Sequence, residues 1–208
     1  MFNDITGIIL SGGKSTRMGE NKSFLKIGQQ TIIEKLVSMM HSIFNEVIII
    51  TNEPELYGFL NLKLFEDIFK NVGPIAGIHS GLFNSQTEKN FIISCDIPLM
   101  NKEMIISILE YPSSSQITVP RADSYIQQLC GVYCKSLLPI IESIIRNDES
   151  QETRETQQSK RKCKVHNLLN QVQVTIIENI EKLHGYNQNI FLNMNSKDDY
   201  EKILSKYY

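Results

Sequence analysis

The chain has 208 residues and a formal net charge of −2 at pH 7, so it lacks the global positive field that attracts nucleic acid or anionic lipid. Its 41% hydrophobic and 21% charged content is ordinary for a globular protein. The four cysteines form no Cys-x-x-Cys pair, which argues against a disulfide framework or a zinc site. No run approaches the ~20 apolar residues of a membrane span, and the N-terminus lacks the pattern of a secretion signal. We therefore expect a cytoplasmic protein without a membrane anchor.

The first half of the chain alternates short apolar runs with segments of helical period. The apolar runs predict strands over residues 6–10, 47–51, 62–65 and 91–94. The helical segments predict helices over residues 32–44, 77–83 and 102–109. Thr31 and Asn101 stand where they could cap the first and the last of these helices.

The second half continues the same alternation around one polar interruption. Strands are predicted over 117–119, 132–133 and 172–177, and helices over 165–170 and from Lys197 onwards. Residues 146–164 are almost devoid of apolar side chains; we interpret them as a surface excursion, with an extended polar helix as the alternative. Apolar strands separated by helices indicate a mostly parallel sheet covered on both faces. The prediction is a single α/β domain over 1–208, a three-layer sandwich.

A glycine-rich loop with basic residues follows the first predicted strand. Gly12 and Gly13 allow main-chain N–H groups to approach an anion closely, and the positive charges of Lys14, Arg17 and Lys22 follow. A triphosphate needs this combination, because amides hold its oxygens and cations offset its charge. The alternative is a Gly-Gly turn that leads into a solvated basic segment. The spacing matches neither a P-loop nor a dinucleotide fingerprint.

Asp96 comes directly after the apolar strand predicted over 91–94. Ligands of parallel sheets bind beyond the carboxyl ends of the strands, so its carboxylate is predicted at the ligand edge. Mg²⁺ usually takes only one or two protein carboxylates and completes its shell with phosphate oxygens and water. Asp96 is therefore our candidate magnesium ligand, and the alternative is a helix-capping aspartate.

The loop resembles the signature of the sugar-nucleotide-type nucleotidyltransferases, Leu-x-Gly-Gly-x-Ser-x-Arg-Met-Gly followed shortly by Lys. Within that superfamily the chain is most similar to the molybdenum cofactor guanylyltransferase family. Four further segments carry this resemblance in the family's order: 50–52 (Ile-Thr-Asn), 66–67 (Glu-Asp) ahead of 73–77 (Gly-Pro-Ile-Ala-Gly), 94–98 (Ser-Cys-Asp-Ile-Pro) and 193–196 (Asn-Met-Asn-Ser).

The resemblance implies a Rossmann-like fold and a magnesium-dependent transfer of GMP from GTP to the terminal phosphate of molybdopterin. Cofactor-transfer proteins are expected as further partners, and nucleic acid is not. The implied catalytic residues are Arg17, Lys22 and Asp96, with Asp96 as the metal ligand. The residues expected to contact the nucleotide are Leu10, Ser11, Gly12, Gly13, Lys22, Asn52, Asp67, Gly73 and Asp96. Asn193 and Asn195 are expected near the acceptor.

Two other functions stay open at the level of sequence. One keeps the fold and uses CTP, or a sugar or polyol phosphate as acceptor. The other is a nucleotide-binding module without turnover. The presence of both Lys22 and Asp96 favours an enzyme, because binding alone tolerates their loss more easily.

Overall fold

The computed structural model describes residues 1–12, 21–152 and 165–207 of the chain. Its strands are β1 (Phe2–Leu10), β2 (Lys26–Ile27), β3 (Gln30–Thr31), β4 (Phe44–Ile50), β5 (Lys63–Phe65), β6 (Lys89–Ser94), β7 (Ile117–Ala122), β8 (Tyr125–Ile126), β9 (Cys130–Cys134) and β10 (Val174–Ile177). Its helices are α1 (Ile32–His41), α2 (Pro74–Asn84), α3 (Lys102–Leu109), α4 (Leu138–Glu152), α5 (Val165–Leu169) and α6 (Lys197–Tyr207).

One sheet in the order β10-β7-β9-β6-β1-β4-β5 forms the centre of the molecule. In the described part of the chain, neighbours along this order are parallel except for the two pairs made by β9. Because β9 is antiparallel to both β6 and β7, those two strands point in the same direction. The carboxyl ends of β1, β4, β5, β6, β7 and β10 therefore lie at one edge, which is where ligands of such sheets bind.

Both faces of the sheet are buried, as the continuously apolar strands predict. Along β1, Ile5 and Ile9 belong to one core cluster and Ile8 to the other. The same alternation recurs in β4 and β6, because successive side chains of a strand point to opposite faces. Helices α1, α3 and α6 cover the first face, and α2, α4 and α5 cover the second. The predicted three-layer α/β architecture with a mostly parallel sheet is confirmed.

The two predicted helix caps are confirmed. The Thr31 hydroxyl accepts a hydrogen bond from the backbone N–H of Glu34, whose carboxylate accepts from the N–H of Thr31, forming a capping box. The Asn101 side chain accepts from the N–H of Met104 at 2.9 Å, and α3 has the predicted bounds. Several other boundaries are wrong, two of them by three residues at a helix end. The helix predicted over 32–44 ends at His41 because Phe44 opens β4, and the helix predicted over 77–83 begins earlier, at Pro74.

Helix α4 corrects the interpretation of residues 146–164 as a surface excursion. The helix runs from Leu138 to Glu152, so the first part of the polar segment continues a helix whose apolar side chains Ile141, Ile144 and Ile145 are buried. The alternative of a polar helix is correct for this part. Residues 153–164 lie outside the described residues.

No helix in the described ranges is long and apolar enough to cross a bilayer.

Candidate functional site

The carboxyl ends of β1 and β6 meet at the centre of the ligand edge. The backbone N–H of Ser11 donates to the carbonyl of Ile50 at 2.9 Å, and the N–H of Cys95 donates to the carbonyl of Leu10 at 3.3 Å. Leu10 ends β1 and Asp96 follows the neighbouring strand β6, so these two residues, which were predicted to share a site, lie at the same edge of the sheet. Gly12 is exposed, and a Cβ atom built on it meets no atom of the described residues within 4 Å. Gly13 and Arg17 lie outside the described residues.

A buried tyrosine ties together the two ends of the glycine-rich loop. The Tyr57 hydroxyl lies 2.8 Å from Ser11 Oγ, before the loop, and accepts from Asn21 Nδ2 at 3.1 Å, after it. Ser11 Oγ also lies 2.7 Å from Ser23 Oγ, and Ser11 is only 3% exposed. The Ser11 hydroxyl is thus engaged inside the protein. Any contact of Ser11 with a nucleotide must use its backbone.

The predicted nucleotide residues Asn52 and Asp67 form a direct pair beyond β4 and β5. Asn52 Nδ2 donates to Asp67 Oδ2 at 2.7 Å, and the Asp67 N–H donates back to Asn52 Oδ1 at 3.3 Å. Lys70 Nζ donates to Asn52 Oδ1 at 2.9 Å and pairs with Glu66 at 2.5 Å. Partial burial raises the pKa of the Asp67 carboxyl above 3.8, although the Asn52 hydrogen bond and the Lys70 charge oppose this shift. A carboxylate held this way has a second oxygen to accept hydrogen bonds from a base or ribose.

The start of α2 connects this pair to the glycine-rich loop. Gly73 precedes the helix with φ +89°, a conformation that favours glycine, and Pro74 occupies the first turn. A Cβ built on Gly77 would lie 3.4 Å from Leu10 and 3.7 Å from Asp67 Oδ1. We call Leu10, Asn52, Asp67, Lys70 and Gly77 the Asp67 cluster. Gly73 and Pro74, at the start of α2 beside this cluster, are exposed.

Lys22 and Asp96 are brought to the same segment of chain by Met194. Lys22 Nζ donates to the carbonyl of Met194 at 2.7 Å and to Asn195 Oδ1 at 3.2 Å. The N–H of Met194 donates to the carbonyl of Asp96 at 2.8 Å, and Ser94 Oγ donates to the Asp96 carboxylate. We call Lys22, Ser94, Asp96, Met194 and Asn195 the Asp96 cluster. The predicted convergence of the loop lysine, the strand-end aspartate and the late asparagine segment is therefore present.

The cap of α6 fixes the asparagine segment. One carboxylate oxygen of Asp199 accepts from the N–H groups of Asn195 and Ser196, both at 2.9 Å, while Ser196 Oγ accepts from the N–H of Asp199. Hydrogen bonding to the Ser196 side chain, and then to the backbone N–H groups of Asn195 and Ser196, lowers the pKa of the Asp199 carboxyl below its usual value. Asn193, which stands just before Met194, is exposed. This segment thus presents polar side chains from a firmly held backbone.

The donor set at Asp96 suits magnesium rather than a metal that needs a complete protein cage. No group of three or more His, Cys, Asp or Glu side chains that could hold a metal ion occurs among the described residues. Mg²⁺ accepts one or two carboxylates when phosphates and waters supply the other ligands. The half-buried Asp96 carboxylate at the ligand edge fits that requirement. Its alternative role as a helix cap is not observed, because Asn101 caps α3.

Four residues of the site were missed by sequence reasoning: Tyr57, Lys70, Ser94 and Asp199. Only Asp199 had a local signal, because a Ser with an acidic residue three positions later is typical of a helix start. Tyr57 joins Ser11 across a sequence separation of 46 residues, and no sequence pattern predicts such a contact.

Cys95 is excluded as a nucleophile, since burial raises the pKa of its thiol to about 11.

Comparison with known proteins identifies the family of this chain. Residues 7–186 match the family model described as a MobA-like NTP transferase domain. A protein of Carboxydothermus hydrogenoformans named "Probable molybdenum cofactor guanylyltransferase" is 36% identical over 203 residues, which cover 97% of this chain and 95% of the relative. A relative of the same name from Clostridium perfringens is 32% identical over 202 residues, covering 95% of each chain.

Solved structures share the fold. A crystal structure of a protein from Aquifex aeolicus superposes with a TM-score of 0.73 and 31% identity, covering 92% of this chain and 94% of that one. The molybdopterin-guanine dinucleotide biosynthesis protein A of Archaeoglobus fulgidus superposes with a TM-score of 0.77 over 96% of this chain and 97% of its own. At 20% identity, the second match supports the fold alone.

Proposed function

Because the chain belongs to the MobA-like NTP transferase domain family, we propose that it transfers GMP from GTP to the terminal phosphate of molybdopterin. The products are molybdopterin guanine dinucleotide and pyrophosphate. The observation that carries the proposal is the Asp96 cluster, where Met194 bonds to both Lys22 and Asp96. This contact joins the loop after β1, the end of β6 and the asparagine segment at one edge of the sheet.

The Asp67 cluster is proposed to hold the guanosine. A purine placed on the start of α2 meets the backbone near Gly73 and Gly77, and the Asp67 carboxylate accepts hydrogen bonds from its N–H groups or from the ribose. Guanine offers an N–H and an amino group on one edge, which a carboxylate or backbone carbonyls can accept together. This edge is the feature that separates GTP from CTP.

The chemical step needs no general base from the protein. An oxygen of the acceptor phosphate attacks the α-phosphorus of GTP, a new P–O bond forms, and the bond from the α-phosphorus to the departing pyrophosphate breaks. A phosphomonoester has a second pKa of about 6, so the attacking group is largely a dianion at neutral pH. The barrier is the repulsion between two anions, which positive charge and in-line positioning overcome.

Lys22 is proposed to supply part of that charge. Its ammonium group donates to Met194 and Asn195 at the ligand edge of the sheet. From there it is proposed to exchange these hydrogen bonds for one to a phosphate oxygen. Asp96 is proposed to hold a magnesium ion, which when bound supplies further positive charge to the triphosphate. Asn193 and Asn195 are proposed to donate hydrogen bonds to the acceptor phosphate.

A transfer assay tests this function. The purified chain, incubated with labelled GTP, MgCl₂ and molybdopterin, should form the dinucleotide and pyrophosphate, and CTP, UTP and ATP should be poor donors. Asp96→Ala should reduce the rate at least a hundredfold, while Asp4→Ala, an exposed aspartate at the opposite edge, should have no effect. Full activity of the Asp96 variant would refute the metal assignment. A preference for CTP would refute guanylyl transfer.

A further inference from the structure

A cleft opens at the ligand edge beyond β7 and β10, apart from the two clusters described above. It has a volume of about 220 Å³ and lies between the turn that follows β7 and the chain that follows β10. Because β7 and β10 point in the same direction as β6, the cleft belongs to the same edge as Asp96. We call it the Arg121 cleft, after the residue at the end of β7 that lines it. No residue of the Asp67 or Asp96 cluster lines it.

The lining of the Arg121 cleft is mostly polar, with three nearly buried apolar side chains beneath it. Ile180, Ile190 and Phe191 line it and are at most 5% exposed. The rim carries a guanidinium, two carboxylates, a phenol and a carboxamide: Arg121, Asp123, Glu181, Tyr186 and Gln188. A guanidinium that can stack on an aromatic face, with carboxylates and a carboxamide beside it, suits a planar ring that carries hydrogen-bond donors.

The rim is held in place by the fold. Arg121 Nε donates to Glu178 at 3.0 Å, which orients the planar guanidinium next to the cleft. Asp123 and Ser124 form the β7–β8 turn, both with positive φ, of 49° and 68°. Such a turn fixes the direction in which the Asp123 side chain leaves the backbone. The polar groups are thus positioned before any ligand arrives.

We propose that the Arg121 cleft binds the fused nitrogen heterocycle of the acceptor, while the acceptor phosphate reaches Asp96. The proposal rests on the function proposed above. A pterin ring has an aromatic face on which the Arg121 guanidinium can stack, and an amino and N–H edge that pairs with a carboxylate such as Glu181. A sugar or polyol lacks this aromatic face. The cleft is smaller than the roughly 300 Å³ at which ligand pockets usually begin, so it holds one part of the acceptor.

The chain itself connects the cleft to the reacting centre. Phe191 lines the cleft, and Met194, three residues later, bonds to Lys22 and Asp96. Three residues span at most about 11 Å. The acceptor would therefore lie along residues 191–195, with its ring at one end and its phosphate at the other. The same segment carries Asn193 and Asn195, which stand between the two ends.

Acceptor kinetics test the proposal. Glu181→Gln and Gln188→Ala should each raise the KM for molybdopterin about tenfold, the effect of losing one hydrogen bond to a buried ligand, and leave the KM for GTP unchanged. Their matched controls are Glu110→Gln and Gln86→Ala, both exposed and outside the cleft. Thermal melting of each variant verifies the fold. An unchanged KM for molybdopterin in both cleft variants would overturn the proposal while the proposed function stands.

A binding measurement separates failure of the cleft from failure of the function. The fluorescent probe 6-hydroxymethylpterin is titrated into the full chain without GTP. Saturable quenching that Glu181→Gln weakens about tenfold and Glu110→Gln does not would support the cleft, even if the chain transferred no GMP to molybdopterin. Quenching that does not saturate, or that Glu181→Gln leaves unaltered, would refute the cleft whether or not transfer occurs.

Discussion

Replacing Tyr57 by phenylalanine removes one oxygen atom and should loosen the glycine-rich loop. The ring is completely buried, and its hydroxyl joins Ser11 to Asn21, the residues on either side of that loop. The phenylalanine ring fits the same space, so the core stays packed. What is lost is the connection between the two ends of the loop. Ser11 keeps its contact with Ser23, while Asn21 keeps a hydrogen bond to Glu53.

The expected cost follows from the two hydrogen bonds. Each contributes about 0.5–1.5 kcal/mol net, so Tyr57→Phe should lower the free energy of unfolding by about 1–3 kcal/mol. For a chain of 150–250 residues this corresponds to a decrease in Tm of about 2–12 °C. If half of that energy also holds the loop in its binding conformation, the KM for GTP rises roughly two- to twelvefold.

Tyr133→Phe is the matched control. Tyr133 is also completely buried, and its hydroxyl donates to the carbonyl of Gln128 at 2.5 Å, away from the loop. Tyr133→Phe loses one hydrogen bond where Tyr57→Phe loses two, so calorimetry should give it about half the decrease in Tm. Steady-state assays should show a raised KM for GTP only for Tyr57→Phe. If the KM for GTP changed less than twofold in both variants, the role of Tyr57 in the loop would be wrong.

Three further predictions concern charge, pH and packing. Lys22→Gln should lower kcat for transfer about a hundred- to a thousandfold, whereas Lys26→Gln, at an exposed position in β2, should leave it unchanged. The raised pKa of Asp67 means that the folded chain holds the proton of this carboxyl more tightly than the unfolded chain does. The carboxyl therefore lowers the free energy of unfolding as pH rises above 3.8. The Tm of Asp67→Asn minus the Tm of the wild type should accordingly increase between pH 4 and pH 7. Gly131→Ala should cost at least about 2 kcal/mol in urea unfolding, because its Cβ would overlap a backbone carbonyl of β7. A Cβ at Gly58 meets no atom of the described residues within 4 Å, so Gly58→Ala should cost less than about 1 kcal/mol.

The sheet was predictable from sequence because its strands are apolar without interruption. In β1, β4 and β6 both faces are buried. A continuously apolar run such as Ile48–Ile50 is therefore typical of a strand in the middle of a sheet that is covered on both sides. Asp96 and the loop after Leu10 were predictable for the same reason, since they follow such runs directly. Local rules for caps likewise located Thr31 and Asn101.

Other features depend on contacts between distant parts of the chain. The antiparallel direction of β9 follows from its pairing with β6 and β7, which its own residues do not encode. The Tyr57 hydroxyl contacts Ser11, and Lys22 contacts Met194 across 172 residues; both contacts depend on the finished fold. Helix α4 was missed although its buried isoleucines have helical spacing, because these apolar residues occupy only the first part of the helix and the residues after Arg146 are polar.

The strand order gives the distances that the reaction requires. Neighbouring strands are about 4.8 Å apart, so two steps along the sheet correspond to about 10 Å. From β6, which ends at Asp96, two steps in one direction reach β4 and the Asp67 cluster, and two steps in the other reach β7 and the Arg121 cleft. A nucleoside and a fused heterocycle placed at those two positions would direct their phosphates towards each other across Asp96. Bond formation between the phosphates then requires no large movement of either ring, because the sheet itself fixes the separation of the two binding positions.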